Sequence, residues 1–306
     1  MRTGTNFKAI ALMVFAMVAF GIDDAAIKVA GTLADGGAAT PGEIIFIKGV
    51  IGALVFGYVV VTKRIAEDRA LMRRMMKDRA VILRTVGDLF SAMALITGLT
   101  IMPISNLSAI LQVQPLMITL GAALILGEHV GWRRWSAVIV GFIGVMLIIR
   151  PGMAGFEQGS EWAILAMLGL AVRDLATRVL EKDFPTSILI TVVALLFLPL
   201  GTGMHFAMES EPFFDDVSLA AWALILGGGV FGLAGYYAIT VSVRIGEISV
   251  VAPYRYTRLL AALVLGFFIF NEVPDLPMAI GALLVTAAGL FTLYRERALA
   301  SEARDP

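Results

Sequence analysis

Asp24 and Lys28 stand four residues apart inside an apolar run near the N-terminus, and Asp174 and Arg178 repeat the arrangement 150 residues later. Arg84 and Asp88 form a third pair at the same spacing. Residues i and i+4 share one face of a helix, so each pair can neutralise itself locally. An ionisable group within a membrane-spanning segment is costly, and it marks either a folding contact or a path for substrate or ions. Both uses stay open for the three pairs. Arg178 lies near the end of its segment, where a long side chain can snorkel to the interface.

Once the pairs are set aside, Asp23, Lys48, Arg173, Arg255 and Arg258 remain without an obvious local partner, four cations against one carboxylate. Such a residue of charge favours an anionic group on a substrate, most simply a carboxylate, and opposes a bare lipophilic cation. Arg258 falls near mid-depth of its apolar segment with Tyr254 one turn away on the same face. Its role is either direct substrate contact or a fixed pairing with Asp23, Asp24 or Asp88. Lys48 can snorkel or reach inward. Ser105, Ser108 and Gln112 form a narrow polar stripe, suited equally to a cavity wall and to interhelical hydrogen bonds. The candidate substrate-binding or coupling residues are therefore Asp23, Asp24, Lys28, Lys48, Asp88, Gln112, Tyr254, Arg255 and Arg258.

Other chemistries fail on the residues present. Without cysteine there is no disulfide, thiolate metal site or cysteine nucleophile. His129 and His205 fall in expected loops on opposite sides of the membrane, which argues against a shared metal site or a buried histidine base. Asp23-Asp24 lacks the DDxxD continuation that holds a metal-bound diphosphate, no Ser/His/Asp arrangement is available, and no phosphate-binding loop is present. No catalytic residue, metal or cofactor is expected. Asp23, Asp24, Asp88 and Asp174 leave protons available as a coupling ion.

Composition places these groups in a bilayer. The chain is 59% hydrophobic and 16% charged, with mean hydropathy +0.88 and a pI near 6.8. It is read as an all-α integral membrane protein, its partners the lipid bilayer and a small-molecule substrate, with no nucleic acid. A spanning helix needs about 20 mostly apolar residues. Ten segments qualify, near 8–32, 43–62, 80–100, 103–126, 133–150, 162–178, 186–203, 218–242, 249–270 and 277–294. With the N-terminus cytoplasmic, 17 of the 24 Lys and Arg fall on the cytoplasmic side, Arg150 alone falls opposite, and six lie within helices. Both termini are thus expected in the cytoplasm of a bacterial-type inner membrane. Arg2 and Lys8 ahead of Ile10 to Gly21 could mimic a cleaved signal peptide. The apolar character resumes beyond Asp24 without a small-x-small site, so the segment is read as a retained helix.

The halves repeat. Gly127-Glu128 and Asn271-Glu272 each close an apolar segment, and Trp135 and Ala279, then Gly144 and Ala288, follow at matching distances. Residues 1–150 and 151–306 are read as two five-helix repeats of one membrane domain. An odd helix number makes tandem repeats cross in opposite senses, which gives inverted topology and two exchangeable states. Pro115 and Pro253 each remove a backbone donor inside a span, leaving a hinge or a packing kink. Gly228 and Gly232 have the spacing of a close helix contact. Trp222, Tyr236 and Tyr237 can pack on a substrate or on neighbouring helices, whereas Trp132 and Trp135 suit the interface.

Pro115, Gly127-Glu128, Trp135 and Gly144 resemble the signature of EamA-type transporters of the drug/metabolite transporter superfamily. The second half matches through Pro253 to Arg258, Asn271 to Asp275, Gly281 and Tyr294 to Arg297. Leu259 stands where the first half has Pro115, and Asn271 replaces the usual Gly before Glu272. The resemblance implies ten helices in two inverted halves, a central substrate cavity and alternating access. The main expectation is a secondary transporter that exports a small zwitterionic or anionic metabolite resembling an amino acid. The alternative is uptake of a cofactor-like metabolite such as S-adenosylmethionine or a flavin, to which segments 253–258 and 271–275 bear some similarity. An intramembrane enzyme or a channel is the reading from a different class.

Overall fold

The computed structural model describes residues 2–33, 37–63, 68–125, 132–150, 158–180, 184–208, 212–215, 217–245 and 252–302. Its elements are helical: α1 Arg2–Gly31, α2 Pro41–Thr62, α3 Arg69–Lys77, α4 Arg79–Ile101, α5 Ile104–Leu111, α6 Gln114–Ile125, α7 Trp132–Ile149, α8 Ser160–Arg178, α9 Thr186–Met208 and α10 Leu219–Ile245. A 3-10 turn, Ala252–Tyr256, then leads into α11 Thr257–Phe270, and α12 Leu276–Glu302 closes the series. Among the described residues, Phe7–Gly31, Pro41–Thr62, Arg79–Ile101, Thr186–Met208 and Leu219–Ile239 are long and apolar enough to cross a membrane. Ile104–Ile118, Trp135–Ile149 and Leu276–Phe291 are shorter apolar helices.

Proline chemistry explains why spans and helices do not map one to one. The fourth expected span is broken at Gln112-Val113 into α5 and α6. Pro115 has no N–H to offer the Leu111 carbonyl, and its ring crowds the preceding turn. The ninth span likewise opens as a 3-10 turn over its own proline, Pro253, before α11 begins. Pro115 therefore breaks the backbone and is more than a packing feature. The basic connection after α2 contains the short amphipathic helix α3, whose N-terminus is capped by Asp68 accepting from Ala70 N at 3.0 Å and Leu71 N at 2.9 Å.

The chain folds as two compact units, each drawing helices from both halves of the sequence. Unit 1 comprises Met1–Ala25, Met102–Ser160 and Val230–Pro306; unit 2 comprises Ala26–Ile101 and Glu161–Gly229. Within unit 1, Ala9, Met13, Ala16 and Met17 of α1 pack with Ala238 of α10. α7 and α12 meet at Gly144 and Gly281, where a Cβ on Gly144 would stand 2.8 Å from the Gly281 carbonyl oxygen. Within unit 2, α2 and α9 meet at Gly42 and Gly201, and a Cβ on Gly42 would lie 2.6 Å from both Gly201 O and His205 N. Membrane helices lack a strong hydrophobic drive toward one another, so close backbone approach at small residues carries much of their association. A second cluster joins Val60 of α2, Met75 of α3 and Val81 of α4 to Phe184, Ile188 and Leu189.

One expectation changes. His205 lies inside α9 and is 2% exposed; the apolar run extends past the expected span end, so the residue is not in a loop. Its Nδ1 is 3.0 Å from Thr40 Oγ1 and 3.7 Å from Glu43 Oε1. His129, Gly127 and Glu128 lie outside the described residues. Gly232 meets α1 closely, through a carboxylate: a Cβ there would stand 2.5 Å from Asp23 Oδ2.

Candidate functional site

In unit 1, α1 presents Asp23 and Asp24 as neighbours, both buried at 8% and 4% exposure. The bare backbone of Gly232 on α10 makes room for the Asp23 carboxylate. Asp24 Oδ2 accepts from Arg258 Nη2 at 2.7 Å and from Arg258 Nε at 3.1 Å. Arg258, on the first turn of α11, also lies over Phe20, with its guanidinium carbon 5.7 Å from the ring centroid. Phe20 precedes Asp24 by one helical turn, so α1 supplies both an anionic and a π partner to one cation. Gln112, at the break between α5 and α6, donates through Nε2 to Tyr256 O at 3.4 Å. Ser105 and Ser108 are buried, and neither Oγ has a hydrogen-bond partner among the described residues. Tyr254 is exposed and Arg255 half-buried on the 3-10 turn.

Unit 2 holds a second charged cluster. Arg84 Nη1 lies 3.1 Å from Asp88 Oδ2 across the expected i,i+4 spacing. Arg173 Nη1 reaches Asp88 Oδ1 at 3.4 Å, while Arg173 Nη2 stands 2.8 Å from Asp174 Oδ1. The approach of α4 to α8 depends on glycine, because a Cβ on Gly87 would lie 2.9 Å from Gly169 O and Arg173 N. Lys28 Nζ donates to Leu99 O at 3.5 Å, and Lys48 is half-buried on α2. The Arg178 side chain lies outside the described residues.

The nine candidates thus divide between the units. Asp23, Asp24, Gln112, Tyr254, Arg255 and Arg258 belong to unit 1, and Lys28, Lys48 and Asp88 to unit 2. Arg173 and Arg258, which had no obvious partner by local spacing, both have carboxylate partners; this redistributes the carboxylates and leaves the excess of cations in the apolar segments as it was. Local spacing could not reveal the Arg258–Asp24 pair, whose members are 234 residues apart.

Some polar residues with structural roles were not among the sequence's site candidates. Glu272 follows Asn271, which ends α11 in the left-handed conformation at φ 52° and ψ 30°. That turn lets Glu272 N donate to Gly266 O at 3.0 Å and aims the carboxylate at the start of α5, where it accepts from Ile104 N at 3.0 Å and Ser105 N at 3.1 Å. Nearby, Arg150 forms an ion pair with Asp275, and Asp275 Oδ1 accepts from Met278 N at 3.0 Å. In unit 2, Glu43 is 3% exposed and completes a capping box with Thr40. It also accepts from Phe214 N at 2.8 Å. The T-x-x-E spacing signals that box in the sequence; the Asn271-Glu272 motif marked Glu272 as a repeat landmark but not its partners 168 and 167 residues away.

Residues 7–150 and 158–294 match the EamA-like transporter family model. The chain is 28% identical over 202 residues to an S-adenosylmethionine uptake transporter of Rickettsia prowazekii, covering 65% of this chain and 66% of that one. It is 29% identical over 204 residues to a riboflavin transporter of Rhizobium johnstonii, covering 66% of each. A pseudopaline exporter of Pseudomonas aeruginosa is 23% identical over 257 residues, 80% of this chain and 84% of the exporter. One crystal structure, at 17% sequence identity, superposes with a TM-score of 0.56 over 98% of this chain and 99% of its own. These matches to both halves, together with the apolar helices and the buried charges they carry, establish that the chain belongs to the EamA-like transporter family of the drug/metabolite transporter superfamily, a multi-pass membrane transporter of ten-helix fold and not an enzyme.

Proposed function

We propose that this protein takes up a cofactor-like metabolite of the S-adenosylmethionine or flavin class by alternating access. The observation that carries the proposal is the set of relatives named for S-adenosylmethionine uptake and riboflavin transport. Site chemistry is compatible with it: Asp24 pairs with Arg258, so Arg258 does not stand alone as a cation for a simple anion. Phe20 and the exposed ring of Tyr254 supply aromatic surface in the same unit, which suits a purine or flavin ring. Asp23, Asp24, Arg255 and Arg258 are the residues assigned to binding or coupling, and protons are the assigned coupling ion.

Residues 1–150 and 151–306 act as inverted repeats. Supporting this, helices at equivalent positions in the two halves pack closely, α2 with α9 and α7 with α12. Both termini face the cytoplasm of an inner membrane, as the Lys and Arg distribution requires. The test is counterflow in proteoliposomes loaded with unlabelled S-adenosylmethionine or riboflavin. Saturable accumulation of the labelled counterpart is expected for one of them. Exchange of amino acids alone would instead support export of an amino-acid-like metabolite.

A further inference from the structure

One cleft in unit 1 is unused by the contacts around Arg258. Its volume is about 290 Å³, and its polar lining is Ser105, Asn106, Arg150, Glu272 and Asp275, with Pro103 and Met278 among the apolar walls. It brings one guanidinium together with two carboxylates. These groups come from the start of α5, the end of α7 and the turn before α12. Ser105, one of the lining residues, is 2% exposed, and its hydroxyl, packed beside Gly266, has no hydrogen-bond partner among the described residues. A buried hydroxyl left without a partner is costly, and a ligand atom that binds it recovers that cost.

We infer that this cleft binds the headgroup of a cationic zwitterion: an α-amino acid end that carries a further positive charge. The inference deepens the uptake reading and rests on it for its place in transport. The chemistry follows from the lining. Arg150 presents a guanidinium fork, which matches a carboxylate in two parallel hydrogen bonds. Its partner Asp275 has a half-exposed side chain, at 50%, against 20% for Arg150. An ion pair so open to water contributes little, so a ligand carboxylate can replace Asp275 at Arg150 at small cost. The displaced Asp275 carboxylate and Glu272 then face the ligand's ammonium and its additional cation. Glu272 stays fixed by Ile104 N and Ser105 N, and the buried Ser105 hydroxyl, which packs with the Glu272 carboxylate against Gly266, gains a partner when the ammonium reaches it. With two carboxylates against one guanidinium, the cleft favours a ligand of net positive charge over a neutral one of the same shape. Its volume suits a methionine-sized headgroup, with any larger ring system left outside. On the topology proposed above, this end of the unit faces away from the cytoplasm, the side from which uptake begins.

The test uses the full chain in lipid nanodiscs, with titration calorimetry of S-methyl-L-methionine, L-methionine and riboflavin. S-methylmethionine carries the extra sulfonium charge, methionine lacks it, and riboflavin has no amino-acid end. S-methylmethionine should bind about tenfold more tightly than methionine, the factor that roughly 1.4 kcal/mol provides. Asp275→Asn keeps an oxygen to cap Met278 N and should remove most of that preference. Ser105→Ala should weaken both amino acids several-fold, and Arg150→Gln should abolish binding of both. Equal affinity for methionine and S-methylmethionine, or wild-type affinities in Asp275→Asn and Ser105→Ala, would overturn the inference. Riboflavin binding sensitive to Asp275→Asn would do the same. Counterflow separates the two readings. Wild-type exchange of solute with unaltered binding in the cleft variants sinks the cleft and leaves uptake standing. Charge-selective binding without exchange of any solute leaves the cleft standing and sinks uptake.

Discussion

At the residue scale, the pair between Asp24 and Arg258 is the contact whose removal should matter most. Asp24 is 4% exposed, and removing one partner of a buried pair leaves the other charge desolvated, at a cost of about 3–5 kcal/mol. Asp24→Asn should therefore lower thermal stability in detergent and reduce counterflow at least tenfold. Arg258→Gln in the same background should restore stability by removing the stranded charge, while counterflow stays low if Arg258 or Asp24 touches substrate. Recovery of both together would assign the pair to folding alone. A pH dependence attaches to Asp275, outside the apolar helices. The hydrogen bond from Arg150 holds its carboxyl below the usual carboxylate range, and the Met278 amide adds to the effect against partial desolvation. A lowered folded-state pKa gives stability that is complete above about pH 4, the ordinary carboxylate value, and is lost as pH falls through the depressed one. Exposure limits this to roughly 1 kcal/mol or less. The stability difference between the wild type and Asp275→Asn should be constant near neutrality and shrink only in strong acid, as followed by chemical denaturation.

At the element scale, the glycine contacts are the most exacting feature. Gly42→Ala would drive a methyl into Gly201 O and His205 N at 2.6 Å. These are backbone atoms that cannot move away, and overpacking of this kind costs about 1–3 kcal/mol. Gly203→Ala, on the facing helix α9 but with nothing within 4 Å of the added carbon, should be neutral or stabilising by up to ~1 kcal/mol through helix propensity. Comparing the two by thermal unfolding in one detergent distinguishes steric locking of α2 against α9 from a general intolerance of substitution. Equal losses would contradict the packing account. Gly232 was legible as a close-contact residue, yet what it admits is the Asp23 carboxylate, and spacing cannot say which atom fills the space beside a missing Cβ. Pro115 was legible as a break because a missing N–H is a property of the residue itself.

At the scale of the whole molecule, the natural absence of cysteine makes topology directly measurable. Single cysteines at Lys77, Asp215 and Val273, all exposed positions, should divide by side. Lys77→Cys should react with a membrane-impermeant maleimide only in inverted vesicles, and Asp215→Cys and Val273→Cys in right-side-out cells. Labelling of all three from one side would break the positive-inside assignment.

The sequence by itself determined the membrane class, the helical character and the family. Each rests on features counted within one segment or read at fixed spacing: apolar length, the sidedness of Lys and Arg, and the motifs around Pro115 and Asn271-Glu272. It also placed the i,i+4 pair of Arg84 and Asp88, because a helix makes that contact local. Only the tertiary structure decided where the remaining charges are spent. Arg258 meets Asp24 across 234 residues, Arg173 reaches Asp88 on another helix, and Glu272 crosses from the end of α11 to the start of α5. Partners so distant in the chain are chosen by helix packing, where Coulomb attraction acts through space while the pattern along a single helix records only its own face.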